Sequence, residues 1–250
     1  MTKYLIICPL VFIAGIIDAI AGGGGLITLP AYMIAGLPPH NAIATNKMSS
    51  TIGTATATVR YALDGFVPWR LSLICAAFSI GGSALGANIS LKIDDSILRP
   101  IMLVLLPVTA AVVLKSRGIS EEKEPLSKRA TLLTAIATAF ALGIYDGFYG
   151  PGSGTFLILL LTLAAHLKLT TANGVTKVMN FSSNVSALVV FLINGKVLLP
   201  LGLVAGLFSC AGNLIGTKLF AGRGAKIARP VMLAVLAVFF IKVICELAGV

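Results

Sequence analysis

The chain has 250 residues, 57% of them hydrophobic and only 11% charged, with a mean hydropathy of +0.99. A soluble domain of this length cannot hide that much apolar surface, which excludes a water-soluble globular protein. The formal charge of +10 does not mark a nucleic-acid binder, because the lysines and arginines are scattered in short connections between apolar runs, where they set membrane orientation.

The first apolar run, Tyr4 to Ala21, has the length of about 20 residues that crosses a bilayer as a helix. It is read as an uncleaved first span rather than a signal peptide, since several further spans follow. Asp18 stands near its end, and Gly22, Gly23, Gly24 and Gly25 come directly after it. Each glycine costs a helix roughly 1 kcal/mol against alanine, so the helix is expected to break here and restart at Leu26. A short apolar piece, Leu26 to Leu37, leads to a span over Ala42 to Leu63. That span carries Lys47, Ser50, Thr54 and Thr58 at spacings of three and four residues, which places them in one stripe on one helix face. Spans over Leu71 to Leu91 and Ile97 to Leu114 complete the first half.

The segment KSRGISEEKEPLSKR, 115 to 129, is the only long charged stretch and reads as a cytoplasmic linker. The second half opens with Ala130 to Phe148, which contains Asp146, and then GPGSG, with Gly150, Gly152, Ser153 and Gly154. After a restart at Thr155, a short piece runs to Leu167, and the span Ala172 to Ile193 bears a second stripe, Lys177, Asn180 and Asn184. Leu198 to Leu219 and Ile227 to Leu247 close the chain. Cys8, Cys75, Cys210 and Cys245 all lie inside apolar segments without paired spacing, so they read as packing residues. Neither a disulfide framework, a metal site nor a cofactor is expected.

The second half repeats the first. At an offset of 128 residues Gly15, Asp18, Gly22 and Gly24 meet Gly143, Asp146, Gly150 and Gly152. At an offset of 130, Ala42, Lys47, Gly65, Val67, Gly82 and Gly86 meet Ala172, Lys177, Gly195, Val197, Gly212 and Gly216. The expected fold is an all-α polytopic membrane protein of two homologous repeats, 1–114 and 130–250. Each has four long spans plus a short broken or re-entrant segment. Counting that segment as a crossing places both basic loops (Lys115 to Arg129 and Lys218 to Arg229) inside with Arg70 and Lys168, leaving mainly Lys3, Lys92, Arg99 and Lys196 outside. The positive-inside rule therefore favours inverted repeats with both termini outside; a hairpin that enters and leaves one face gives the same parity.

A backbone break inside a bilayer is tolerated where protein buries it or a wet cavity meets it. The restarting helix then points N–H groups and a positive dipole end into the gap, which suits an anion. The lysine stripes add charge, and their hydroxyl and amide groups add hydrogen bonds. Two plainer readings stand beside this one: the glycines permit close helix packing, and the lysines snorkel to the interface. Asp18 and Asp146 are candidates for proton coupling or gating, or else for a structural ion pair or a cap on the broken backbone.

DAIAGGGGLITLP at 18–30, GLPPHNAIATNK at 36–47, YDGFYGPGSG at 145–154 and INGKV at 193–197 resemble the sulfite exporter TauE/SafE family. The likeness runs from about Ile13 to Val243 and is nearest to small bacterial inner-membrane proteins of that family. It implies transport of small sulfur-containing anions such as sulfite, sulfoacetate or other organosulfonates. Many relatives carry a regular G-x-G-G-G in both copies; Pro151 and Ser153 depart from it here, so the two halves contribute unequally.

An enzyme is not expected: Ser153 has no histidine near a span centre to act as its base, and Tyr145-Asp146 lacks the Gly-Xaa-Gly-Asp partner of an intramembrane aspartyl protease. The expected function is secondary transport of a small anion by alternating access, with the proton as coupling ion and the protein a monomer or homodimer. A passive anion channel, or a transporter of a non-sulfur solute, is the alternative.

Overall fold

A computed structural model describes residues 2–98, 100–102, 104, 105, 108 and 124–223. The expected spans over 97–114 and 227–247 and most of the 115–129 linker lie largely or wholly outside the described residues. Helical geometry holds at every described position from 95 to 108.

Eight helices are bounded among the described residues: α1 Thr2–Ala21, α2 Gly25–Ile34, α3 Pro39–Leu63, α4 Trp69–Leu91, α5 Lys128–Phe148, α6 Ser153–Leu163, α7 Leu169–Ile193 and α8 Leu199–Arg223. Of these, α1, α4, α5, α7 and α8 are long and apolar enough to cross a membrane. The chain is an all-helical, multi-pass membrane protein. Helix α3 has 25 residues, about 37 Å at 1.5 Å per residue, but its threonines, serines and lysine keep it less apolar. It tolerates them because it packs against both α7 and α8 and buries Thr45, Asn46, Lys47, Ser49, Thr54 and Thr58.

Helices α2 and α6 have 10 and 11 residues, about 15 Å each, half the hydrocarbon thickness. Each follows a glycine break. Helix α1 ends where Gly22 takes φ +74°, and α5 gives way to Gly150 at φ +99° and Gly152 at φ +79°. The restarts, at Gly25 and Ser153, fall within two residues of the expected ones. Helix α2 folds back along α1. A side chain on Gly24 would sit 2.7 Å from the Asp18 Cβ and 2.8 Å from the Ala14 carbonyl oxygen. Leu29 and Tyr32 then join Ile7 and Val11 in one buried cluster.

The long helices pair crosswise between the halves: α1 on α8, α4 on α5, α3 on α8, α4 on α7 and α3 on α7. Small residues set these approaches, as in other membrane helix pairs. A Cβ on Gly86 would lie 2.0 Å from the Ile144 carbonyl oxygen, and one on Gly216 would lie 2.4 Å from that of Ile16. We expect Gly86→Leu to push α4 from α5 and to lower the melting temperature by about 10 °C, since overpacking against rigid backbone costs about 3 kcal/mol or more. Thermal unfolding of the purified variant checks this.

Polar contacts fix which turns lie together. The Asn41 side chain donates to the Lys196 carbonyl at 2.8 Å, and the Leu198 N–H donates to Thr45 Oγ1 at 3.1 Å. His40 is a clasp at the same end: its ring meets Asp95 at 2.5 Å and the Ser90 carbonyl at 2.9 Å. At the other end Gly174 packs on the Phe66 carbonyl, Tyr61, Phe66 and Phe220 form an aromatic trio, and the Thr131 hydroxyl donates to Ala165.

Candidate functional site

The two glycine breaks meet. A Cβ on Gly22 would lie 2.4 Å from the backbone of Gly154, and one on Gly25 would lie 3.0 Å from the Pro151 Cα. The Thr155 hydroxyl donates to the Ala21 carbonyl at 2.9 Å, satisfying one of the acceptors that the end of α1 leaves open. The glycines thus do serve close packing, and that packing brings the two broken backbones to one point between the halves.

Around that point the charges pair across the halves. Lys47 of α3 donates to Asp146 Oδ2 at 2.8 Å and to Asn184 Oδ1 at 3.1 Å. Asp146 accepts two further bonds, from Ser183 Oγ to Oδ2 and from Ser153 Oγ to Oδ1, both 2.6 Å. Lys177 of α7 donates to the main-chain carbonyl of Asp18, and its ammonium lies 3.6 Å from Asp18 Oδ2. Asp18 Oδ1 accepts from the Gly24 N–H at 3.4 Å, a long bond at the start of α2. Each lysine therefore faces the aspartate of the other half.

Neither lysine snorkels. Lys47 is 2% exposed and Lys177 0%, so the interfacial reading of the stripes is overturned. Lys47 lies eight residues inside the start of α3, about 12 Å along its axis, on a helix packed against α7 and α8.

A cavity of about 40 Å³ opens among these groups. Of the expected site residues, Asp18, Gly22, Gly24, Gly25, Lys47, Ser50, Thr54, Asp146, Gly150, Ser153, Asn180 and Asn184 line it. Gly23, Gly152, Gly154 and Lys177 do not. Gly152 and Gly154 shape the α6 start, and Lys177 holds α1 from behind. The structure adds Thr28, Asn46, Ser209 and Asn213 to the wall. Ser209 and Asn213 were legible in one respect: at the 130-residue offset they fall on Ser79 and Ser83, and all four are buried polar residues in otherwise apolar helices. Asn46 stands beside Lys47 in the TNK triplet.

Gly150 makes room for the first pair. A side chain there would meet Lys47 Nζ at 3.2 Å and Asp146 Oδ1 at 3.3 Å. The arrangement can hold a small polar solute between an ammonium, amides and hydroxyls. Among the described residues no group of three or more His, Cys, Asp or Glu could hold a metal ion.

The family model described as sulfite exporter TauE/SafE matches residues 7–243. The chain is 35% identical over 235 residues to the probable membrane transporter protein ORF9 of a Sinorhizobium species, covering 94% of this chain and 90% of that one. It is 32% identical over 237 residues to the probable membrane transporter protein YfcA of Escherichia coli K12 (95% and 88%). A probable membrane transporter protein of Haemophilus influenzae is 34% identical over 223 residues (88% and 86%). No solved structure matches. With the model covering nearly the whole chain, this multi-pass protein belongs to the sulfite exporter TauE/SafE family of membrane transporters.

Proposed function

We propose that the protein is a secondary transporter that moves a small sulfur-containing anion, sulfite or a short organosulfonate, by alternating access between two inverted repeats. The observation that carries this reading is the crossed pairing of Lys47 with Asp146 and Lys177 with Asp18 beside the cavity where the two breaks meet. Sites in duplicated transporters lie at the repeat interface, formed by broken helices near mid-membrane.

The turn contacts support the inverted arrangement. The α2–α3 and α7–α8 turns share one end, while the α3–α4 and α6–α7 turns share the other. Corresponding turns of the two halves are therefore at opposite ends. Arg70, Lys128, Arg129 and Lys168 then gather at one face, with Lys3, Lys92 and Lys196 at the other, as the positive-inside rule asks of a cytoplasmic and an external side. In a cysteine-free background, single cysteines at Asp64 and Asp94 should label from opposite sides of the membrane. Labelling of both from one side would contradict this topology.

Charge sets the mechanism. Lys47, Lys177, Asp18 and Asp146 sum to zero, so an entering anion must bring or displace a charge. A proton taken up by Asp146 releases the Lys47 ammonium, which then holds the anion together with the Asn184 amide and the Ser50 and Thr54 hydroxyls. Loss of anion and proton on the far side restores the pair. The cavity has space for about three waters, a match for an inorganic oxyanion of four non-hydrogen atoms; a longer sulfonate needs it to widen. The sulfite named in the family description agrees with this chemistry.

Flux of sulfite into proteoliposomes tests the reading. Saturable uptake driven by a proton gradient and lost in Asp146→Asn is expected. Flux that is linear in concentration and indifferent to the gradient would mark a channel instead.

A further inference from the structure

Four buried side-chain atoms without a hydrogen-bond partner belong to residues that line this one cavity: Asp18 Oδ2, Thr28 Oγ1, Asn180 Oδ1 and Asn213 Oδ1. Thr28, Asn180 and Asn213 are 6%, 4% and 1% exposed. Leaving a buried polar atom unpaired costs about 1–3 kcal/mol, so four among the residues lining one cavity point to an occupant.

The orientation of Asn213 is fixed by its neighbour. Its Nδ2 donates to the Ser209 carbonyl at 2.9 Å, and turning the amide round would set oxygen against oxygen. Its Oδ1 is therefore an acceptor. Asp18 differs in the same way from its counterpart. Both oxygens of Asp146 accept short bonds. Asp18 Oδ2 accepts none, because the Lys177 ammonium is engaged by the main-chain carbonyl and stands 3.6 Å away.

One carboxylate oxygen, two amide oxygens and a hydroxyl form a hard-oxygen donor set, which fits a cation. The charge count narrows the choice. Here only Asp18 has a carboxylate oxygen without a hydrogen bond, and the Lys177 ammonium lies 3.6 Å from that oxygen, whereas divalent ions draw on several carboxylates. A monovalent ion fits. In other transporters with broken helices, main-chain carbonyls at the unwound ends coordinate Na⁺; here the oxygens come from side chains.

We propose that Asp18, Thr28, Asn180 and Asn213 form a Na⁺ site on the wall of the transport cavity. Its role as a coupling site rests on the transporter reading above: Na⁺ would supply at Asp18 the positive charge that a proton supplies at Asp146. Binding itself does not depend on that reading.

The test is thermal unfolding of the purified protein in NaCl, KCl and choline chloride at equal concentration, with no sulfur oxyanion present. A ligand that binds only the folded state raises stability as RT ln(1 + [L]/Kd). At 100 mM salt and a millimolar Kd, NaCl should raise the melting temperature by about 5 °C or more over choline chloride. Asn213→Leu and Asn180→Leu should each abolish the difference. Equilibrium binding of ²²Na⁺ to the unmodified protein provides a second readout, should either variant fail to fold. Equal melting temperatures in all three salts together with no saturable ²²Na⁺ binding would overturn the site, as would a Na⁺ effect intact in both variants. Na⁺ binding without any response to sulfite would keep the site and sink the anion reading; a sulfite response without Na⁺ binding would do the reverse.

Discussion

Replacing Lys47 with methionine is expected to lower folding stability by about 3–5 kcal/mol and to abolish transport. The stability loss follows from burial: breaking a buried pair leaves an uncompensated charge, and that charge costs more than the pair contributed. Asp146 keeps its bonds from Ser153 and Ser183, which soften the loss without neutralising the carboxylate. The double variant Lys47→Met/Asp146→Asn should therefore regain part of the stability, while transport stays absent. A melting temperature about 10 °C below the unmodified protein for the single variant, partly restored in the double, is the expected pattern. Additive losses in the double variant would show that the two groups do not depend on each other.

Gly22→Val is expected to be the more damaging change. Gly22 combines a φ of +74° with a Cβ position 2.4 Å from the Gly154 backbone. A β-branched residue in the left-handed region is strained in its own right, and here its side chain would have to push one broken helix off the other. Because the cavity is built on that contact, loss of transport should exceed what lost stability alone explains. Gly36→Val provides the control: φ is +80° there too, but nothing lies within 4 Å of a Cβ. It should show the strain and keep the function. If the two variants behave alike in transport, the contact between the breaks is not what shapes the site.

The sequence made the site's parts legible and left their partners hidden. Glycine runs after an aspartate, in two copies, located both breaks to within two residues, because chain stiffness is a local property. The stripes on α3 and α7 follow from helical spacing, which is local too. Two things depended on distance in space. The lysines were expected to offer free charge to an anion, with Asp18 and Asp146 as separate coupling groups; the structure binds each lysine to the opposite half. A 99-residue separation between Lys47 and Asp146 carries no signal in one sequence. Ser209 and Asn213 were passed over because they stand in an otherwise apolar α8, where two small polar residues hardly change the average. The repeat alignment held the clue, since Ser79 and Ser83 occupy the same places on α4.

The proposed transport requires an oxyanion bound at Lys47 between the two breaks. Its most direct test is ligand-induced thermal stabilisation, screening sulfite, sulfoacetate, taurine, sulfate, acetate and phosphate against the unmodified protein and Lys47→Gln. A selective, saturating rise with a sulfur oxyanion, absent in Lys47→Gln, is the expected result. No stabilisation by any of these anions, or an equal rise in both proteins, would contradict it.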